Sequence, residues 1–250
     1  MTRIILFISI IIFFLSFQNT KAQSKDSTKV RKNIIRWNPT PMVMVGPKSI
    51  VLGYERLVRP SQTISINIGY LEKSPMTDKE GVPLQIFDQN NKGGFDISLD
   101  YRFYFRKRNK YPAPDGLYWG PYASYYGIWQ DASINLLNNG VIKNTVHYNG
   151  KLQMFSLGLQ LGYQFIIKER FSIDLILLGP SYTYYDLNMS LRFDTDIDIN
   201  DPFYKDLMDY LSDNSPFLSE FINKGSIEAN GRLKLNFYGF RYAIQFGYVF

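Results

Sequence analysis

The stretch FDISLDYRFYFR, residues 95–106, alternates apolar and polar side chains from end to end. Six apolar or aromatic side chains fall on one face of an extended chain, and the six residues between them fall on the other. Such a period of two is typical of a β-strand with different surroundings on its two faces. The same pattern recurs at residues 155–165 and 64–70. The sequence therefore predicts an all-β fold.

Outward from this stretch, the alternation predicts eight strands whose connections differ in length. The connections at residues 59–61, 108–115 and 168–170 are short, whereas those at residues 73–92, 130–149 and 192–228 are long. Only the turn at Gly46-Pro47 breaks this pattern. Short periplasmic turns and long outer loops are typical of bacterial outer-membrane β-barrels. An even number of strands also puts both termini on the periplasmic side. The predicted strands cover residues 31–45, 48–58, 62–72, 93–107, 116–129, 150–167, 171–191 and 229–250.

The first 22 residues have the pattern of an export signal. Arg3 precedes an apolar run at residues 4–17, and the small residue Ala22 ends the segment. As a helix, this run reaches only about 21 Å, which is less than the roughly 30 Å of a bilayer core. A cleaved signal peptide is therefore favoured over an uncleaved anchor. The mature domain would comprise residues 23–250 and reside in the outer membrane.

The composition limits the possible chemistry. The chain contains no cysteine, which excludes disulfides, thiolate metal sites and cysteine nucleophiles. Its aromatic content of 16% suits a barrel with aromatic girdles. The formal charge of +6 gives no clear case for nucleic-acid binding. We expect no cofactor, and we expect outer-membrane lipid, lipopolysaccharide and the barrel-assembly machinery as partners, with any extracellular partner unknown.

Soluble barrels and sandwiches also alternate, but their apolar faces point inward. Here the polar faces carry Gly, Ser, Asn and Gln with embedded charges, rather than a Lys/Glu-rich solvated surface. Aromatic residues also cluster near strand ends, as Tyr101, Phe103 and Phe105 do. These features favour an eight-stranded antiparallel transmembrane up-and-down β-barrel with a short helix in its last outer loop. A soluble periplasmic β-protein is the alternative.

The chain ends with FRYAIQFGYVF, residues 240–250, in which Phe246, Tyr248 and Phe250 share one face. This ending resembles the C-terminal signal that the assembly machinery reads in outer-membrane barrels. The whole mature chain resembles small barrels such as OmpA, OmpX and OmpW. More narrowly, NIIRWNPTP at 33–41 and VLGYERLV at 51–58 resemble a barrel family common in Bacteroidota. The resemblance implies an eight-stranded barrel and no established activity.

Charged residues fall on the face that would line the barrel interior. A turn at Gly46-Pro47 would place Asn38 opposite Glu55 and Arg36 diagonally beside it. Side chains can just fill the interior of an eight-stranded barrel, and buried charges must be paired. A plugging ion network is therefore favoured over a gated narrow pore. Its candidate members are Arg36, Glu55, Asp96, Asp100, Arg102 and Arg106.

The predicted outer loops hold two weaker candidates. The single histidine, His147, lacks a spacing motif with Ser124 or Ser133, so no catalytic residue is predicted. An exposed loop histidine with no role is the favoured interpretation. No metal is predicted either, although three carboxylates on one face of an extended segment are a weak calcium candidate. Those carboxylates are Asp194, Asp196 and Asp198, which Arg232 and Lys234 could neutralise.

Residues 202–223 have a helical rhythm, with Asp201 as the N-cap and Pro202 in the first turn. This helix could cover the barrel mouth, lie on the outer leaflet or bind a partner. Because surface loops carry function on rigid scaffolds, loop 192–228 ranks first as a functional site. The leading prediction is a non-enzymatic barrel that is structural or interacts through its loops. A narrow pore or transporter for small or apolar ligands comes second, and an outer-leaflet lipid-modifying enzyme third. The apolar stripe of the helix consists of Phe203, Leu207, Tyr210 and Leu211.

Overall fold

The computed structural model describes residues 31–78, 84–89, 91–138, 140–194, 202–214 and 230–250. This part of the chain contains eleven strands and two helices. The strands are β1 (Asn33–Asn38), β2 (Ile50–Arg59), β3 (Gln62–Leu71), β4 (Leu84–Asp88), β5 (Lys92–Tyr104), β6 (Gly116–Asn138), β7 (Val141–Ile167), β8 (Phe171–Leu178), β9 (Pro180–Phe193), β10 (Asn230–Phe240) and β11 (Ala243–Val249). The helices are α1 (Thr40–Met44) and α2 (Pro202–Asn214).

Eight of these strands pair into a closed ring. The order around the ring is β1, β2, β3, β5, β6, β7, β8 and β11, and β11 pairs again with β1. Every pairing is antiparallel. Tyr248 of β11 lies opposite Ile35 of β1 on one side and Phe171 of β8 on the other. Closure pairs the backbone groups of β1 with those of β11, which would be unpaired at the edges of an open sheet.

A second part of the sheet continues beyond the ring, and we call it the extension. It consists of residues 130–138 of β6 and 141–153 of β7, together with β4, β9 and β10. β9 pairs with the first half of β7, β10 pairs with β9, and β4 pairs with the end of β6. The break between β8 and β9 at Gly179 is bonded to the break between β10 and β11, because the Arg241 amide donates to the Gly179 carbonyl at 2.8 Å.

The all-β class, the antiparallel sheet and a short helix are confirmed, but several predicted boundaries are wrong. The first predicted strand, 31–45, ends at Asn38 and is followed by α1, because prolines at positions 39 and 41 cannot donate to a ladder. α1 shortens the strand, so that Asn38 lies opposite Val51 rather than Glu55. Arg36 remains diagonal to Glu55, whose direct partner is Ile34.

Two predicted loops contain regular structure. Residues 130–149 are almost entirely the ends of β6 and β7, and residues 73–92 contain β4. The predicted helix at 202–223 is α2 as far as Asn214, and residues 215–223 lie outside the described part of the chain. Among the residues that the structure describes, neither helix is long and apolar enough to cross a membrane.

The ring has polar side chains inside and apolar side chains outside. On β5, Asp100 and Arg102 have no exposed surface, whereas Ile97 and Leu99 are 41% and 50% exposed. This arrangement is the reverse of that in a soluble β-protein, in which the apolar face is buried. The outward row of isoleucines on β3, from Ile64 to Ile68, is likewise exposed.

Candidate functional site

A charged network fills the interior of the ring, with Asp174 of β8 at its centre. Asp174 Oδ2 accepts hydrogen bonds of 2.8 Å from Nη1 of both Arg36 and Arg102. Its other oxygen accepts a 2.7 Å hydrogen bond from the Tyr118 hydroxyl. All three charged side chains are fully buried. One carboxylate thus connects strands β1, β5, β6 and β8 across the interior.

Two further carboxylates complete the pairing of the arginines. Glu55 Oε2 lies 3.1 Å from Arg36 Nη1 and 3.6 Å from Arg102 Nη1. Asp100 Oδ2 lies 3.3 Å from Arg102 Nη2, and Asp100 Oδ1 lies 2.6 Å from Arg241 Nη1. Because each guanidinium has at least one carboxylate partner, the desolvation cost of burying these charges is offset by direct pairing.

Aromatic rings and glycines shape the space around the arginines. The Arg102 guanidinium lies 4.5 Å from the centre of the Tyr118 ring, and that of Arg241 lies 4.9 Å from the Tyr122 ring. Gly162 lies against Tyr118, and a Cβ at that position would be 2.4 Å from the ring. A small residue opposite a large one lets the interior fill without voids.

The predicted network is partly assembled. Arg36, Glu55, Asp100 and Arg102 are joined by the contacts above. Asp96 is buried inside the ring, yet its Oδ1 has no hydrogen-bond partner among the described residues. Arg106 is exposed in the turn after β5 and lies outside the network. The reason is that β5 ends at Tyr104, beyond which alternation no longer sets the direction of a side chain.

Sequence reasoning missed Asp174 and Arg241. The sequence does carry a signal for Asp174, because Asp174 and Ser172 are polar residues at alternate positions in the otherwise apolar strand β8. Arg241 had no such signal, because it lies in the break between β10 and β11. Its side chain enters the interior and also donates to Ser98 Oγ at 3.2 Å and Gln160 Oε1 at 3.3 Å.

Both faces of the sheet change polarity where the ring gives way to the extension, and β7 shows this most clearly. In the ring, its outward Leu157 and Leu159 are more than half exposed, while its inward Gln160 is buried. In the extension, its inward Val146 is fully buried and its outward Asn149 is exposed. The outward faces of β6 beyond residue 130, of β9 beyond residue 184 and of β10 before residue 237 are also polar, whereas the remaining outward residues of β9 and β10 are mainly aromatic. The polar outward residues include Asp131, Ser133, Asn188, Ser190, Arg232, Lys234 and Asn236.

An aromatic row marks this change on the outside of the sheet. Phe155 lies opposite Tyr125 on β6 and opposite Tyr184 on β9. The Tyr125 ring stacks on Phe95 of β5, with centroids 5.2 Å apart, and Phe95 lies opposite Tyr70. We call these five residues the extension-side row.

The apolar inner face of the extension holds helix α2. Leu207, Tyr210 and Leu211 are at most 2% exposed and belong to a buried cluster with Ile134 and Leu191, among others. The Tyr210 hydroxyl donates to the Thr77 carbonyl at 2.8 Å. The predicted apolar stripe therefore packs on the protein itself, except for Phe203, whose side chain lies outside the described part. We call α2 and this cluster the cap.

His147 lies on strand β7 rather than in a loop, and it contacts two groups. Its Nδ1 is 3.1 Å from Ser133 Oγ, and its Nε2 is 3.2 Å from Asp194 Oδ1. Ser124 is buried inside the ring, away from it. A serine, a histidine and a carboxylate that contact one another in this order form the pattern of a hydrolase triad. Here, however, Ser133 is within the sheet, paired to both β4 and β7, so its backbone is used by the ladders rather than held as an oxyanion site.

Of the three carboxylates in the calcium candidate, Asp194 pairs with His147 and gives the candidate no support. The other two, Asp196 and Asp198, lie outside the described residues. In the described part, no cluster of three potential metal ligands occurs. Arg232 pairs with Asp186 instead, through contacts of 2.8 and 2.6 Å. Hydrogen bonding from Arg232 lowers the pKa of Asp186.

The three C-terminal aromatics lie on the outer surface at ring closure. Phe246 lies opposite Trp37 of β1, and Phe246, Tyr248 and Phe250 are each about two-fifths or more exposed.

In the turn before β6, the Asp115 carboxylate accepts a hydrogen bond from the Ile166 amide at 3.2 Å. Burial raises the pKa of Asp115 to about 6.

The fold and interior define a class: an all-β chain that closes eight strands around a charged, largely paired interior. The chain belongs to a family of proteins of unknown function (DUF3575), which it matches over residues 8–190. The match covers β1 to most of β9 and excludes α2, β10 and β11. No curated protein and no solved structure matches the chain.

Proposed function

We propose that the chain is a non-enzymatic outer-membrane β-barrel with a plugged interior, and that it displays the extension at the cell surface as an interaction platform. In this view residues 1–22 are the cleaved export signal. The ring is the transmembrane barrel, and Phe246, Tyr248 and Phe250 are the signal for the barrel-assembly machinery. Outer-membrane phospholipid and lipopolysaccharide surround the ring.

The observation that carries the proposal is the reversal of polarity along β7. Exposed leucines on one half of a strand and exposed polar side chains on the other indicate different surroundings for the two halves. Lipid around the ring and water around the extension account for both halves. The opposite changes on the inner face also follow, because a lipid-facing strand turns its polar residues inward.

The length of the apolar band supports the same interpretation. Phe155 in the extension-side row and Phe165 near the opposite end are ten residues apart on β7. Ten residues of antiparallel strand extend roughly 34 Å. At a tilt of about 40°, this length spans roughly 26 Å, close to the ~25 Å apolar band of outer-membrane barrels.

The interior argues for a plug rather than a pore. The ion pairs around Asp174 join β1, β2, β5 and β8, so side chains rather than solvent occupy the cross-section. Planar-bilayer recordings of refolded protein are expected to show no steady conductance. Reproducible channels would instead favour the second candidate, a narrow pore for small ligands.

Barrel formation is tested by membrane fractionation and by gel mobility before and after boiling. A folded barrel resists SDS, so we expect it in the outer-membrane fraction with a heat-dependent change in mobility. Recovery in the soluble fraction, without such a change, would contradict the proposal.

Orientation is tested with single cysteines, since the native chain has none. The variants are Val141→Cys, at the exposed tip of the β6–β7 hairpin, and Lys107→Cys, at an exposed position in a turn at the other end. A membrane-impermeant maleimide should label Val141→Cys on intact cells. It should label Lys107→Cys only after the outer membrane is permeabilised, and the opposite result would reverse the orientation.

A further inference from the structure

The positive charge of the chain is concentrated at one end of the ring. The turn at residues 105–115 carries four exposed cations, Arg106, Lys107, Arg108 and Lys110. Six more lie nearby: Arg31 and Lys32 before β1, Arg56 and Arg59 near the end of β2, and Lys168 and Arg170 in the β7–β8 turn. This end therefore carries ten cations against two side-chain carboxylates, Asp115 and Glu169. We call this end the basic rim.

The rest of the described chain is nearly neutral. The interior of the ring carries three guanidinium groups and four carboxylates, and the extension end carries nine cations and nine carboxylates. The excess of eight positive charges at the rim, ten minus two, is therefore a local property rather than a reflection of overall composition.

The rim adjoins a second set of outward aromatic residues. The Phe103 ring stacks on Trp119 at 5.0 Å, and Phe171 packs edge-on against Tyr248 at 6.2 Å. Arg170 of the rim lies over the Tyr248 ring, 5.9 Å from its centroid, and hydrogen-bonds to its hydroxyl. Aromatic rings flanked by arginine and lysine are typical of the level at which a bilayer changes from acyl chain to headgroup.

One turn of the rim holds its charged residues in a costly backbone conformation. Lys168 and Glu169 both have positive φ, 50° and 59°, at the β7–β8 turn. Asn-Gly or Asp-Gly is the favoured pair in such a turn, because other residues meet steric strain there. The strain falls on one cation and one carboxylate alike, so Arg170 alone supplies the net charge of this turn.

We infer that the basic rim binds the phosphate groups of anionic phospholipids in the leaflet beside it. This inference rests on the proposed membrane insertion. The positions favour lipid over a soluble acidic partner, because the cations lie beside the second set of outward aromatic residues and within reach of the headgroup layer. Basic side chains close to an anionic membrane surface are attracted to it, and salt screens this attraction.

The test uses full-length protein refolded into vesicles of phosphatidylcholine with either spin-labelled phosphatidylglycerol or spin-labelled phosphatidylcholine. Electron spin resonance measures how strongly each labelled lipid associates with the protein. At 0.05 M salt we expect a preference for phosphatidylglycerol of about threefold or more. At 0.5 M salt the preference should approach one, because ions screen exposed charges.

The rim variant changes Arg106, Lys107, Arg108 and Lys110 to glutamine. Its matched control changes four exposed cations at the extension end, Lys143, Lys151, Arg192 and Lys205, to glutamine. We expect the rim variant to lose at least half of the lipid preference and the control to keep it. An equal loss in both variants would show a non-specific charge effect and overturn the inference.

The outcomes separate this inference from the barrel proposal. Heat-dependent gel mobility of the same vesicle samples reports insertion independently of lipid preference. A protein that inserts but associates equally with both lipids keeps the barrel proposal and overturns the rim assignment. Binding of the rim to isolated peptidoglycan without any lipid preference would overturn it too. A protein that never inserts would overturn the barrel proposal itself.

Discussion

Asp174 accepts a 2.8 Å hydrogen bond from Arg102, although three strand-to-strand steps around the ring separate β8 from β5. The same oxygen accepts from Arg36. A contact that crosses the interior in this way cannot form in an isolated hairpin. It therefore depends on closure of the ring, and it provides a measurable test of the network.

Asp174→Asn should destabilise the protein severely. The change removes the charge that two buried guanidinium groups share, and breaking a buried pair costs about 3–5 kcal/mol. Urea unfolding in detergent micelles, followed by tryptophan fluorescence, measures the loss. Asp194→Asn removes a carboxylate that is 57% exposed and serves as the control, with little expected change. A loss below about 1 kcal/mol in Asp174→Asn would contradict the central role of this residue.

Asp96→Asn should be tolerated or slightly stabilising. Asp96 is 2% exposed, forms no ion pair, and leaves Oδ1 without a hydrogen-bond partner among the described residues. A neutral side chain of the same shape removes the cost of burying an unpaired charge. In the same unfolding assay, the variant should stay within about 1 kcal/mol of wild type or exceed it. A loss as large as that of Asp174→Asn would show that Asp96 belongs to the network.

Gly162→Ala should disturb the site through Tyr118. The new methyl group would lie 2.4 Å from both Cζ and the hydroxyl of Tyr118, and 2.7 Å from the Leu175 carbonyl oxygen. Overpacking of this kind costs about 1–3 kcal/mol, and it would displace the hydroxyl that bonds to Asp174. Gly127→Ala is the matched control, since its nearest neighbour is the Phe95 ring at 3.0 Å. Equal unfolding midpoints for the two variants would argue against tight packing at Gly162.

Asp115→Asn should stabilise the protein in a pH-dependent way. The folded-state pKa of Asp115 is about 6, above the unfolded value of about 3.9. A carboxyl group with a raised pKa favours the folded state while protonated, and that contribution is lost as pH rises from about 4 to 6. The variant should therefore match wild type near pH 4 and exceed it by about 1 kcal/mol at pH 7.5, after allowance for solvent screening. A difference that does not vary with pH would contradict this account.

The Ser133–His147–Asp194 contacts should give no hydrolase activity. Ser133 lies within paired strands, so its backbone offers no oxyanion site. A fluorophosphonate probe should label wild type no more than Ser133→Ala, as read by in-gel fluorescence. Labelling that disappears in both Ser133→Ala and His147→Asn would show an activated serine and favour the enzyme alternative instead.

The parts of the strands that lie within the ring could be predicted because each keeps one polarity per face, as residues 95–104 do. The ends of β6 and β7 in the extension could not, because both strands exchange the polarity of their faces near residues 130 and 154. Around His147 and Tyr148 the alternation persists, but its phase relative to residues 155–165 is reversed. A strand prediction based on apolar residues that stay on one face therefore ends the strand at that reversal.

The interior was predictable only in part, for a related reason. Arg36, Glu55, Asp100 and Arg102 lie on regular strands, where alternation determines which way a side chain points. Arg106 and Arg241 lie just beyond strand ends, where it does not. Which carboxylate meets which arginine depends on the stagger of strands around the closed ring, and Arg102–Asp174 is a pairing that no local pattern encodes.

The length of β7 has a mechanical consequence. Its 27 residues run without a break from the exposed hairpin tip at Val141 to the turn at Lys168. At about 3.4 Å per residue, that is roughly 90 Å of hydrogen-bonded backbone, about half of it in the extension. In the proposed orientation, a force applied at the hairpin tip is transmitted to the barrel wall through hydrogen-bonded strands rather than through a flexible linker. The chain is thus built to hold whatever binds at its tip at a fixed height above the cell.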